Sequence, residues 1–124
     1  MNNKIKSFTD LIAWKEGHKL VLEIYKITKE FPLDERYGLV DQIRRAGVSI
    51  SSNIAEGFSR KSINEKKQFY HISIGSLSEI QNQILIARDL GYISNILFQD
   101  IANQTVLVSK LLNSLIKNID KIHS

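Results

Sequence analysis

An apolar seam near the carboxyl end of the chain is the feature that most limits the possible fold. Large apolar side chains recur there at alternating steps of four and three residues, a spacing that keeps them on one face of an α-helix. The seam consists of Ile101, Val108, Leu112, Leu115, Ile119 and Ile122, with Thr105 filling one gap. A helix with such a stripe is stabilised mainly by packing, so we expect it to lie against other helices.

The rest of the chain contains few residues that interrupt helices. One proline and six glycines in 124 residues favour a few long helices over many short strands. Capping-box matches begin at Ser7 and Ser62, Gly91 suits a left-handed helix end, and Ser94 can cap a last helix. We therefore predict one all-α domain spanning residues 1–124, an antiparallel up-and-down four-helix bundle. The predicted helices cover about residues 8–30, 35–58, 63–90 and 95–122.

Several classes of function are disfavoured by composition. The chain has no cysteine, which excludes disulfides, thiolate metal sites and cysteine nucleophiles. The segment MNNKIKSF lacks the apolar core of a signal peptide, and no apolar stretch reaches membrane-spanning length, so we expect a cytoplasmic protein without membrane contact.

The histidines do not indicate an enzyme. None of His18, His71 and His123 follows a glutamate by three residues, as di-iron bundles require, and Arg60 is too far from His71 for the short arginine-histidine motif of RNA-cleaving bundles. We interpret His71 as a partly buried bundle residue. The sequence thus predicts no catalytic residue, no metal and no cofactor.

The second predicted helix is unusual on its outer side. Its core face carries Leu39, Ile43, Ala46, Ile50, Ile54 and Gly57. The remaining positions between residues 46 and 58 are small or weakly polar, where a free surface helix would carry lysine and glutamate. We interpret them as a candidate subunit interface; the alternative is an exposed, serine-rich face. The interface candidates are Gly47, Val48, Ser51, Ser52 and Ala55.

Three polar residues on one edge of this helix resemble a catalytic stripe, but a structural role explains them better. Ser49, Asn53 and Glu56 follow each other at steps of four and three residues, and Glu56 has Arg60 four residues later in the favourable orientation for an ion pair. We predict a structural polar network in which Ser49 and Asn53 bond to Ser76 or Glu79 on the third helix.

Positive charge is concentrated in the first part of the chain. The net charge is +4, and the excess of lysine and arginine lies before residue 71. Four basic residues surround the connection between the second and third helices: Arg60, Lys61, Lys66 and Lys67. We predict that this cluster contacts phosphates of RNA or DNA without reading the bases; the alternative is a solvated helix end.

Arg44 and Arg45 are a second pair of candidate phosphate ligands. Guanidinium groups bind phosphates through charge-assisted hydrogen bonds. Alternatively, they hold the bundle or a subunit contact together through carboxylates such as Asp41 or Glu56. We favour the structural role.

Three segments resemble a known protein family. FTDLIAWKEG, FPLDERYGLVDQIRRAGVSISSNIAEGFSR and SIGSLSE, in this order, are similar to the bacterial 23S rRNA intervening sequence proteins. The accessory variability determinant proteins of diversity-generating retroelements are related members. The resemblance extends over residues 8 to about 92 and is closest between Gln42 and Gly57.

The resemblance implies a four-helix bundle that assembles into a homopentameric ring without catalytic activity or cofactor. In the retroelement setting it implies nucleic acid and a reverse transcriptase as partners. The leading hypothesis is therefore a non-enzymatic ring that binds nucleic acid through its basic surface, with a protein partner such as a reverse transcriptase. The alternatives are a purely structural or protein-interaction ring and an unrecognised nuclease.

Overall fold

A computed structural model describes residues 4–120, and within that range the chain forms four long α-helices and no strand. The helices are α1 (Ile12–Thr28), α2 (Leu39–Ser59), α3 (Ile63–Asp89) and α4 (Asn95–Lys117). Each helix packs on the next, and α1 also packs on α4. The short connections make neighbouring helices antiparallel, so the predicted all-α four-helix bundle is confirmed.

The first helix begins later than predicted. The Ser7 capping box is present, with the Ser7 hydroxyl accepting from the Thr9 amide at 3.2 Å, but it closes only a 3-10 turn over Phe8–Asp10. Leu11 then takes an extended conformation and buries its side chain in the core. Because an extended residue cannot continue a helix, α1 starts at Ile12.

The second helix is also delayed. Pro32 precedes a 3-10 turn over Leu33–Glu35, and α2 starts only at Leu39. The Glu35 carboxylate accepts from the Leu39 amide at 3.1 Å and from the Tyr92 hydroxyl at 2.9 Å. Glu35 therefore joins the start of α2 to the connection between α3 and α4.

The remaining helix ends follow the sequence signals. The Ser62 hydroxyl accepts from the Glu65 amide at 3.1 Å, and the Ser94 hydroxyl accepts from the Leu97 amide at 3.2 Å. Gly91 has a φ of 79°, which glycine adopts at little steric cost. The fourth helix spans Asn95–Lys117, and its predicted end at residue 122 lies outside the described residues.

The predicted seams form the core. On α4 the seam residues from Ile101 to Ile119 are buried, whereas Ile122 lies outside the described residues. All predicted core residues of α2 are buried as well. On α1, Ile24 is buried in the core, whereas the neighbouring Tyr25 is exposed.

The Glu23 carboxylate, between α1 and α4, is partly buried in a way that disfavours its charged form. Oε1 of Glu23 is shielded from solvent and has no hydrogen-bond partner within residues 4–120. It borders a groove of about 360 Å³ that Asp100 also lines. Burial raises the pKa of Glu23; Lys19 opposes this change, and the charges of Asp100 and Glu16 reinforce it.

We expect Glu23→Gln to stabilise the protein at neutral pH and to have little effect in acid. Because the folded state holds the Glu23 proton more tightly than the unfolded state, stability falls as pH rises from the unfolded pKa near 4.5 through the raised folded pKa. The amide does not ionise, so the variant avoids that loss. Urea unfolding at about pH 4 and 7 measures the difference. The exposed Glu30 provides the control, Glu30→Gln, and an equal gain for Glu23→Gln at both pH values would contradict the prediction.

Candidate assembly and nucleic-acid interfaces

The outer face of α2 carries four of the five residues predicted for a subunit interface. Val48 and Ser52 are exposed, and Ser51 and Ala55 are half-buried. The Ser51 hydroxyl donates to the Val48 carbonyl at 3.3 Å, which reduces the polarity that this face presents to solvent. The face is therefore small, weakly polar and accessible in the single chain.

Gly47 does not belong to that face, which corrects the prediction for this residue. It is buried, and a Cβ added to it would lie 3.3 Å from Cδ1 of Ile24 and 3.9 Å from Cγ2 of Val21. The glycine allows α1 and α2 of the same chain to approach closely. Its surface is consequently not available to a second subunit.

The polar edge of α2 is joined to α3. The Ser76 hydroxyl donates to the Ser49 hydroxyl at 2.8 Å, and the Asn53 amide donates to the Ser49 carbonyl and hydroxyl at 2.8 and 3.0 Å. Glu56 is engaged separately by Arg60, whose Nη2 donates to its carboxylate at 2.7 Å. Only Ser49 therefore reaches α3; Asn53 bonds within α2 and Glu79 takes no part, which corrects the prediction that Asn53 contacts the third helix.

Arg44 and Arg45 have different surroundings. Nε of Arg44 donates to the Thr28 hydroxyl at 2.9 Å, and its guanidinium lies 4.6 Å from the centroid of the Tyr25 ring, so Arg44 ties α2 to α1. Its partners are the Thr28 hydroxyl and the ring and carbonyl of Tyr25, not the predicted carboxylates. Arg45 pairs with Asp41 at 3.0 Å, and its side chain is 80% exposed. Of the two, only Arg45 is freely accessible to a phosphate.

Lys66 is removed from the predicted phosphate-binding cluster. It is only 6% exposed, and Nζ donates to the Phe58 carbonyl at 2.7 Å and to the Gly57 carbonyl at 3.5 Å. The ammonium thus caps the carboxyl end of α2, where the helix dipole favours a cation. Burial lowers the pKa of Lys66. The sequence did contain a sign that Lys66 is buried. It lies four and seven residues before the core residues Tyr70 and Ser73, a spacing that puts it on the core face of α3.

The other three residues of the cluster differ in how accessible they are to a phosphate. Lys61 is exposed and Lys67 is half-buried. Arg60 is partly engaged, since it pairs with Glu56 and its guanidinium lies 4.8 Å from the centroid of the Phe69 ring. Lys61 and Lys67 are therefore the main accessible cations at the α2–α3 connection.

The bundle topology separates charge between its two ends, a feature that sequence reasoning missed. The amino end of α1, the α2–α3 connection and the carboxyl end of α4 lie together; Ile5 and Leu115, for example, line the same groove. Basic residues outnumber acidic ones in this half of the molecule. Its outermost charges are Lys4, Lys6, Arg60, Lys61, Lys67 and Lys117 against Asp10, Glu56, Glu65 and Asp120.

The opposite half of the bundle is acidic in balance. It contains the α1–α2 and α3–α4 connections, which the hydrogen bond between Tyr92 and Glu35 brings together. Its acidic residues are Glu23, Glu30, Asp34, Glu35, Asp41, Glu79, Asp89 and Asp100, and its basic ones are Lys26, Lys29, Arg36, Arg44, Arg45 and Arg88. Arg44 and Arg45 thus lie apart from the basic cluster.

The two histidines within the described residues, His18 and His71, lie far apart in the sequence and have different surroundings. His18 stacks on Trp14, with ring centroids 4.7 Å apart and an interplanar angle of 11°. His71 is exposed, which corrects the expectation of partial burial. His123 lies outside the described residues. Within residues 4–120, no group of three or more potential ligand side chains is arranged to hold a metal, and no helix has the length and apolarity to span a bilayer.

Comparisons with known proteins agree with this architecture. The family model described as 23S rRNA-intervening sequence protein matches residues 9–114. Among solved structures, the chain is similar to a protein of unknown function from the S23 ribosomal protein family of Bacteroides thetaiotaomicron. The two share 22% identity and a TM-score of 0.79, over 86% of this chain and 96% of that one. No curated protein matches the sequence.

Proposed function

Because the chain belongs to the 23S rRNA-intervening sequence protein family, we propose that it acts without catalysis, as a homo-oligomeric ring that binds RNA or DNA. The observation that carries the proposal is the separation of charge, with basic residues gathered at the end that holds Lys61 and Lys67. A basic surface of this kind attracts the phosphate backbone and gives binding with little sequence preference.

Assembly into a ring would strengthen nucleic-acid binding by this weakly basic end. Subunits of a cyclic ring are related by rotation about one axis, so their basic ends occupy equivalent positions around it. Contacts that are weak in each subunit then add along one nucleic-acid strand. The ring itself is supported by the accessible face of Val48, Ser51, Ser52 and Ala55. We propose a pentamer, as the family resemblance implies, and light scattering should then give five times the chain mass of 14.2 kDa.

A purely structural or protein-interaction ring is the second candidate. The observation in its favour is that Lys66 and Arg60 are engaged in contacts within the chain, which leaves fewer cations for phosphate. A relation to the retroelement accessory proteins would make a reverse transcriptase the expected protein partner.

The nucleic-acid proposal is tested by Lys61→Glu combined with Lys67→Glu. We expect the affinity for RNA and for DNA to fall about tenfold or more at low salt, because each lost phosphate contact removes counterion release, and the salt dependence should flatten. Fluorescence anisotropy with oligonucleotides of several lengths measures both effects, and longer strands should bind more tightly to the unaltered ring.

The matched control reverses two charges at the opposite end, Lys29→Glu with Arg36→Glu, which are both exposed. This variant has the same net charge and should retain most of the affinity. If the Lys61 and Lys67 variant kept its helicity, its mass and its full affinity, the structural ring would be the better description. Cleavage of the oligonucleotides in the presence of Mg²⁺ would overturn the non-catalytic part of the proposal.

A further inference from the structure

The groove between α1 and α4 is lined by apolar side chains and takes no part in the proposed nucleic-acid binding. Its volume of about 360 Å³ lies within the usual range of small-molecule sites. Ile27, Ile93 and Ile101 are buried along it. Tyr92 and the 43% exposed Leu97 add further apolar surface. An aliphatic chain that lay in the groove would therefore cover apolar surface that water now contacts.

The same groove is acidic. Its charged residues are Glu23 on α1, Glu30 just beyond the end of α1, Asp100 on α4 and one cation, Lys26. None of these four side chains forms an ion pair within residues 4–120. The three carboxylates are not arranged to hold a metal ion. The negative balance of the groove therefore favours an organic cation.

Glu23 shows where such a cation is needed. Its Oε1 atom is shielded from solvent and accepts no hydrogen bond within residues 4–120. Burial raises the pKa of Glu23, the charges of Asp100 and Glu16 reinforce this, and Lys19 and Lys26 oppose it without forming an ion pair. Because a buried carboxylate oxygen without a donor is unfavourable, a cation that brings N–H groups to this place would be stabilised.

We propose that this groove binds a linear aliphatic polyamine. One terminal ammonium pairs with Glu23 and Asp100, and the other pairs with Glu30. The methylene chain between them covers Ile27 and Ile101. Glu30 follows Glu23 by seven residues, so the two ammonium groups must lie roughly 10 Å apart. The site depends on neither the ring nor nucleic-acid binding, since all of its residues belong to one chain and lie away from Lys61 and Lys67.

Isothermal titration calorimetry with spermidine tests the site on the unaltered protein without nucleic acid. The terminal ammonium groups of spermidine can reach both ends of the groove, whereas those of ethylenediamine are too close together. At physiological salt, ethylenediamine and Mg²⁺ should bind at least about tenfold more weakly than spermidine, since each reaches one end only. Equal affinities of the three cations would mean simple counterion attraction, and no binding of spermidine would overturn the proposal outright.

Four variants locate the site. Glu23→Gln and Glu30→Gln should each weaken spermidine binding about tenfold, because each removes a charge-assisted hydrogen bond. Glu79→Gln changes the net charge equally in a different groove, between α2 and α3, and should leave the affinity unchanged. Lys26→Gln removes a like charge from the α1–α4 groove and should strengthen binding. Equal effects of Glu23→Gln and Glu79→Gln would contradict a site at this groove.

Discussion

Lys66→Glu should lower the free energy of unfolding by about 3–5 kcal/mol, the usual cost of leaving a buried charge without its partner. The Lys66 ammonium donates to the carbonyls of Phe58 and Gly57 at the carboxyl end of α2. A carboxylate cannot donate to these groups, and it would face the negative end of the helix dipole in a site that is almost closed to solvent. Urea unfolding followed by circular dichroism measures the loss.

Two control variants separate the effect of the lost hydrogen bonds from the effect of the reversed charge. Lys66→Met keeps most of the stem but loses the hydrogen bonds, and should cost about 1–3 kcal/mol. Lys67→Glu makes the same charge change at a more exposed neighbouring position and should stay within about 0.5 kcal/mol. If Lys66→Glu were as mild as Lys67→Glu, Lys66 would not be a helix cap.

This prediction bears directly on the nucleic-acid test. A charge reversal that included Lys66 would reduce binding simply by unfolding the bundle. Lys61 and Lys67 are exposed and half-buried, and neither forms an ion pair within residues 4–120, so changing them should leave the fold intact. Loss of nucleic-acid affinity in the Lys61→Glu, Lys67→Glu double variant can therefore be attributed to lost phosphate contacts.

Gly57→Ala should also destabilise the protein, by about 1–3 kcal/mol, although alanine is the better helix former. An added Cβ would lie 2.7 Å from Cε1 and 2.9 Å from Cδ1 of Tyr70, and 3.1 Å from Cβ of Phe69. The Tyr70 ring is completely buried and has little room to move. The clash therefore outweighs the gain in helix propensity, and thermal or urea unfolding should show it.

Gly17→Ala is the matched control for this substitution. Gly17 is also buried within a helix, but its Cβ would lie 3.4 Å from Cγ2 of Ile50 and 3.5 Å from Cδ1 of Ile54, which is ordinary packing distance. Stability should be unchanged or slightly higher. Equal effects of the two substitutions would mean that the α2–α3 contact at Gly57 is looser than described.

Local signals in the sequence predicted much of the fold. The alternating apolar spacing identified the seams of α2 and α4, and the side chains of Ser62 and Ser94 marked helix starts, because these depend on contacts within one or two turns. The predicted starts of α1 and α2 are too early, since the helices begin at Ile12 and Leu39. Leu11 is extended to fill the core and Glu35 is held by Tyr92, and both contacts reach beyond the local segment.

What the sequence by itself determined is the helical class, the seams and the small-residue outer face of α2, since periodicity along a helix is readable without knowing its neighbours. What only the tertiary structure decided is which charged or small residues are accessible. Lys66 and Gly47 look like members of surface groups in the sequence, yet packing between helices buries both. The separation of charge between the two ends also depends on folding, because antiparallel topology brings together residues as distant as Lys4, Lys61 and Lys117.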